Sequence, residues 1–185
     1  MVHHSYAEYR ALEDESPTKH EFLDGEIYAM AGGTPDHAAL AATVIRILGS
    51  QLHPGCRVFT SDLRVRISAT GLSTYPDAAV ICGRSARAED DAMAVTNPTV
   101  IVEVTSPSAE AYDRGAKLRH FQQLSSAREI LIVSHTEPRL TLHRREGGSW
   151  STIEAVAGQT LTFESVGANM AVDDVYREAL EDAPR

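Results

Sequence analysis

Pro98-Thr99-Val100-Ile101-Val102-Glu103-Val104 is an apolar run interrupted by one carboxylate. A strand covered on both faces reads this way, because neither of its sides meets water. The run ends at Ser106-Pro107-Ser108. Ser108 is a good helix cap, and a helix from Ala109 to about Leu124 follows, carrying Tyr112, Leu118, Phe121 and Leu124. Glu129-Ile130-Leu131-Ile132-Val133 is a second buried strand. Strand, helix, strand in this order implies a crossover between two parallel strands.

Upstream, the stretch Tyr75 to Cys82 contains Pro76-Asp77-Ala78-Ala79-Val80-Ile81 and reads as a strand. Before it, Arg57 to Thr60 and Leu63-Arg64-Val65-Arg66-Ile67 are strand candidates. The latter alternates strictly, which predicts one buried and one cationic face. Nearer the start, Ser5 caps a short helix over residues 5–12. Asp24-Gly25 then joins two short runs as a hairpin, setting Glu21 roughly opposite Tyr28. Thr34-Pro35 opens a helix to about Leu52, with Leu40, Val44, Ile47 and Leu48 at helical spacing. After the core, Leu140–Arg144, Trp150–Glu154 and Thr160–Phe163 predict antiparallel hairpins, and Val172–Leu180 a closing helix. The class is α/β: a mixed central sheet flanked by helices, with additional antiparallel hairpins.

The 185 residues, 43% of them hydrophobic, fit one domain over 1–185, with a core of about 6–178. Cys56 and Cys82 are too few and too far apart in sequence for a disulfide framework or a zinc knuckle, and they read as buried thiols. No apolar run approaches the ~20 residues that span a bilayer, and no apolar leader follows a basic start. The expectation is a cytoplasmic protein. A net charge of −9 argues against tight, non-specific binding to nucleic acid. Two cationic groups run the other way: Arg57, Arg64 and Arg66, and Arg114, Lys117 and Arg119.

An ionised carboxylate inside an apolar run is costly unless it is paired or binds a metal. Asp77 and Glu103 lie on strands whose spacing suits neighbours, so the two can share a divalent cation. A buried salt bridge from Glu103 to an Arg or Lys is an equally weighted alternative. Lys117, on the helix after the Glu103 strand, can reach back to orient a water or offset charge on phosphorus. By itself it reads as a solvated helix lysine. Glu21 is a third acidic candidate or an exposed strand residue. His37, one turn into the second helix, is a contact to the metal shell or phosphate, or a structural histidine.

Taken together, Glu21 with Asp24-Gly25-Glu26, His37, Pro76-Asp77, Glu103-Val104-Thr105-Ser106-Pro107-Ser108, Asp113 and Lys117 resemble the Uma-type restriction endonuclease family. That family belongs to the PD-(D/E)xK nuclease superfamily. The resemblance implies a restriction-endonuclease-like core. It also implies Mg²⁺-dependent hydrolysis of DNA phosphodiesters by a metal-activated water, with Mn²⁺ as a substitute. On it, Asp77 and Glu103 hold the metal, Glu21 and Lys117 complete the catalytic set, and His37 and Arg114 bind substrate. Thr105 stands where the superfamily pattern has lysine, and Lys117 fits a lysine relocated to the next helix. DNA is the implied partner. A homodimer is expected, because cutting two strands benefits from two sites. The alternative is a catalytically inactive relative that serves as a DNA-binding or protein-interaction domain.

Overall fold

The computed structural model describes residues 3–30 and 32–177. The apolar run forms strand β8 (Val100–Val104), buried along its whole length. β8 pairs in parallel with β9 (Glu129–Val133), as the strand–helix–strand order predicts. On its other side it pairs antiparallel with β6 (Ala78–Cys82). β3 (Cys56–Thr60), β10 (Arg139–Glu146) and β11 (Ser149–Val156) complete a six-stranded sheet in the order β11-β10-β9-β8-β6-β3.

A second sheet was not foreseen. It has the order β2-β1-β5-β4-β7. Its strands are β1 (His20–Leu23), β2 (Glu26–Ala29), β4 (Arg64–Ile67), β5 (Leu72–Thr74) and β7 (Ala94–Val95). The Asp-Gly hairpin forms as read, with Glu21 opposite Tyr28. Asp24 and Gly25 both take positive φ, the geometry of the tight turn that matches strand twist. A small hairpin, β12 (Thr160–Phe163) with β13 (Ala168–Ala171), lies apart from both sheets.

Strand periodicity decides which layer covers which face. Val100, Val102 and Val104 join a core cluster with Leu40, Val44 and Leu48 of helix α2 (Pro35–Gly49). Helix α5 (Val172–Tyr176) and β13 enclose the same cluster. Ile101, on the opposite face, joins Val65, Ile67 and Leu72 of the second sheet, together with Leu118 and Phe121. Glu103 shares the parity of Ile101, so it faces the second sheet. The expected caps form: Ser5 and Glu8 make a capping box on α1 (Tyr6–Glu15), and Thr34 accepts from His37 N–H at the start of α2.

Three local expectations are corrected. Arg64 and Arg66 are buried and do not form a cationic face. Arg64 bonds Tyr75 and Asp91, and Arg66 bonds Asp90 and the Gly71 carbonyl. Acidic partners from the 83–97 loop thus turn the alternating strand into one buried on both sides. Cys56 and Cys82 are not free thiols. β3–β6 register sets them directly opposite, and they form a disulfide. The third helix is not continuous: α3 (Glu110–Tyr112) passes through a π-helical turn, Asp113–Lys117, into α4 (Leu118–Phe121). Of the closing helix, residues 178–180 lie outside the described residues.

Candidate active site

The β6–β8 register pairs Ala78 with Val102, and one step further along both strands brings Asp77 beside Glu103. Asp77 is anchored through one oxygen. Its Oδ2 accepts a 2.7 Å hydrogen bond from Val104 N–H and lies 3.3 Å from His37 Nε2. The same His37 nitrogen is 3.0 Å from the Val104 carbonyl. A carbonyl only accepts, so Nε2 carries the proton. That contact with Asp77 raises the His37 pKa above the ordinary imidazole value. Asp77 Oδ1 accepts no hydrogen bond from the described residues, which leaves one lone-pair face open.

Glu21 arrives from the other sheet. β1 and β5 pair Phe22 with Ser73, so Glu21 falls opposite Thr74, whose hydroxyl donates to Glu21 Oε1. Lys117 sits between the sheets. Its Nζ is 2.9 Å from Glu21 Oε1, 2.9 Å from Glu103 Oε1 and 4.0 Å from Asp113 Oδ1. The π-helical turn brings Asp113 and Lys117 inward together, and both are only 4% exposed. Such turns widen a helix locally and recur at functional sites.

Glu103 Oε1 is buried and meets the Lys117 ammonium at 2.9 Å, the buried ion pair that was the alternative reading of Glu103. Burial pushes the Glu103 carboxyl well above its usual range, and Lys117 pulls it back only in part. Burial likewise raises Asp113 to about 6, again opposed by Lys117. Desolvation favours a neutral Lys117, but Glu103 and Glu21 outweigh it and hold the ammonium charged, raising its pKa. Four carboxylates thus face one lysine and one histidine, an excess of negative charge that a divalent cation would offset. The Glu103 carboxylate, whose only donor among the described residues is Lys117, and the open side of Asp77 are hard oxygen donors, the kind Mg²⁺ takes. The residues therefore fit such an ion.

Glu21, His37, Asp77, Glu103, Asp113 and Lys117 all line one cleft of about 360 Å³. A second cleft of about 610 Å³ meets it at Tyr75, His37 and Asp77. Every candidate catalytic, metal or substrate residue named from the sequence except Arg114 therefore reaches the cleft. Arg114 does not line it and pairs with Glu110 one turn back. Thr74 was missed. Its strand is too short to register as one, and nothing in Leu72-Ser73-Thr74 marks a residue that supports a carboxylate. Tyr112 also lines the cleft, and burial pushes its phenol up to about 12.

A family model described as "Uma2: Putative restriction endonuclease" matches residues 6–173. The chain belongs to this Uma2 family. A Synechocystis sp. protein, slr1290, described as uncharacterized, is 36% identical over 172 residues, covering 92% of this chain and 90% of its own. A second from that organism, sll1609, also described as uncharacterized, is 30% identical over 161 residues, covering 85% of this chain and 90% of its own. Among solved structures, one is described as a putative nuclease belonging to DUF820 from Anabaena variabilis. It superposes with a TM-score of 0.72 at 17% identity, over 90% of this chain and 94% of that one. At that identity the likeness concerns the fold, and the fold is the restriction-endonuclease-like arrangement expected for the Uma2 family.

Proposed function

We propose that this Uma2 member is a Mg²⁺-dependent endonuclease that hydrolyses DNA phosphodiester bonds. The observation that carries the reading is the meeting of Glu21, Asp77, Glu103 and Lys117 in one cleft, with Lys117 Nζ 2.9 Å from both glutamates. Asp77 and Glu103 would hold the ion. Bound there, Mg²⁺ supplies Lewis-acid charge stabilisation and an acidified water.

The chain's own groups do the remaining work. His37 and Val104 N–H fix Asp77 through Oδ2, so its other oxygen is presented without reorientation, as supporting hydrogen bonds do for metal ligands. Lys117 pairs with both Glu21 and Glu103, and it supplies a fixed positive charge beside the phosphoryl group. Lys117 thereby stands in for the lysine that Thr105 replaces. Thr105 itself is buried and bonded to His135. A DNA substrate fits a cytoplasmic protein, and two-strand cleavage fits a homodimer, which light scattering at micromolar concentration checks.

The test is nicking of supercoiled plasmid with Mg²⁺ or Mn²⁺, alongside calorimetric titration of either ion. The expected result is cleavage and cation binding that are both lost in Asp77→Ala. Cation binding without cleavage of any DNA would leave the inactive-relative reading in its place.

A further inference from the structure

At the β3 edge of the six-stranded sheet, His53-Pro54-Gly55-Cys56 forms a tight turn between α2 and β3. Cys56 N–H donates to the His53 carbonyl at 3.2 Å, closing the turn, and Gly55 takes φ +101°. A ligand–x₂–ligand turn of this kind is how small zinc sites bring two donors to one ion. The third donor comes from β6. Cys82 faces Cys56 across the antiparallel pair, with Cα atoms 4.0 Å apart. Gly83 at φ +82° then turns the chain away, and its N–H donates to the Gly55 carbonyl at 2.7 Å. The flanking hydrogen bond marks Cys56 and Cys82 as a non-hydrogen-bonded pair, the kind whose side chains approach most closely.

The imidazole completes the group. His53 Nε2 lies 3.5 Å from Cys56 Sγ, and one donor atom from each of His53, Cys56 and Cys82 lies within 4.8 Å of the other two. His53 is exposed, Cys82 half-buried and Cys56 buried, so the cluster opens to solvent on its histidine side. None of these residues lines the carboxylate cleft.

We propose that His53, Cys56 and Cys82 form a thiolate–imidazole site for a soft divalent cation of the zinc type, with a fourth position left for water or an added ligand. The disulfide in this structure is the oxidised, metal-free form of that site. Cys₂His with one open position is a donor set that Zn²⁺ accepts in tetrahedral geometry, whereas Mg²⁺ prefers oxygen. The interconversion balances with a small-molecule disulfide as oxidant. The two Cys thiolates form one S–S bond and release the ion, and the two electrons cleave the oxidant's S–S bond to give two thiolates. A dithiol or phosphine reductant runs the protein half in reverse.

The test uses the full chain reduced with a phosphine, which competes weakly for zinc, and titrated with Co²⁺ as a spectroscopic probe. The expected result is a thiolate-to-cobalt charge-transfer band that saturates at one ion per chain. Zn²⁺ should abolish it, and it should be absent from the oxidised protein. Cys82→Ser should lose the band, and His53→Ala should bind Co²⁺ more weakly. The exposed position of His53 keeps that variant folded, which circular dichroism verifies. No band in reduced protein, or unchanged Co²⁺ affinity in His53→Ala, overturns the proposal. Because carboxylate-bound Co²⁺ gives no such band, failure of the nuclease reading would leave this result intact.

Discussion

At the scale of single residues, Lys117 is the side chain on which the site's electrostatics turn. It is nearly buried and pairs with Glu21 and Glu103, so an apolar isostere leaves two buried carboxylates without a counter-ion. Removing one partner of a buried pair costs about 3–5 kcal/mol. We expect Lys117→Met to lose about that much stability in urea unfolding without divalent ions, and to recover part of it with Mg²⁺, because the ion takes over the neutralisation. Equal losses with and without Mg²⁺ would show that the ion does not sit among these carboxylates. The raised carboxyls give a second expectation. Asp113 titrates near 6 in the folded state and Glu103 is also raised, so the folded protein takes up protons before the unfolded chain does. Without metal, stability should therefore rise as pH falls from about 6 toward about 4, the ordinary aspartate value. Mg²⁺ needs the same groups deprotonated, so its affinity should fall over that window. Urea unfolding without metal and calorimetry of Mg²⁺, each on either side of pH 6 with Asp113→Asn as the flattened control, measure the two signs. Most of these residues were legible because each broke a local rule: Glu103 inside an apolar run, Asp77 behind a proline. What was not legible was their partners. Thr74 reaches Glu21, and Asp91 reaches Arg64, only through pairings distant in sequence.

At the scale of elements, the chain announces what local chemistry dictates. The Asp24-Gly25 hairpin, the Thr34-capped helix and the apolar β8 formed with nearly the expected boundaries, because turn residues, caps and burial are written into adjacent positions. The division into two sheets was not legible, since β5 and β7 are three and two residues long and owe their existence to tertiary pairing. The π-helical turn was hidden for a related reason. Leu118, Phe121 and Leu124 fit an ordinary helix, and so does the i, i+4 spacing of Asp113 and Lys117, so no local pattern marks the wider turn. The entry to α2 makes an element-level prediction. A Cβ on Gly33 would lie 2.6 Å from His37 Nδ1, so the ring would have to move away from Asp77 and the Val104 carbonyl. Gly33→Ala should leave the circular dichroism spectrum unchanged and slow plasmid nicking roughly tenfold or more, the usual effect of losing a group that supports a metal ligand. Full activity in Gly33→Ala would show that the imidazole does not position Asp77.

At the scale of the whole molecule, charge and architecture pull against each other. The two sheets and the third helix converge on the carboxylate cleft, yet the chain carries a net charge of −9. Of the cationic groups expected to compensate, only Arg57 and Arg119 stand exposed. Arg64 and Arg66 are buried against Asp91 and Asp90, Arg114 pairs with Glu110, and Lys117 lies among carboxylates. DNA affinity must then rest on the divalent cation rather than on a basic track. The expectation is that a duplex is not retained in a gel-shift assay with chelator, and is retained with Ca²⁺, a cation of the same charge that takes oxygen ligands. Few counterions would be released, so the logarithm of affinity should fall against the logarithm of salt with a slope no steeper than about −3, far from the −10 of a strongly basic DNA-binding protein. Tight, steeply salt-dependent binding in chelator would mean that the nucleic acid contacts another face. The cleft carboxylates would then repel the backbone instead of receiving it through an ion.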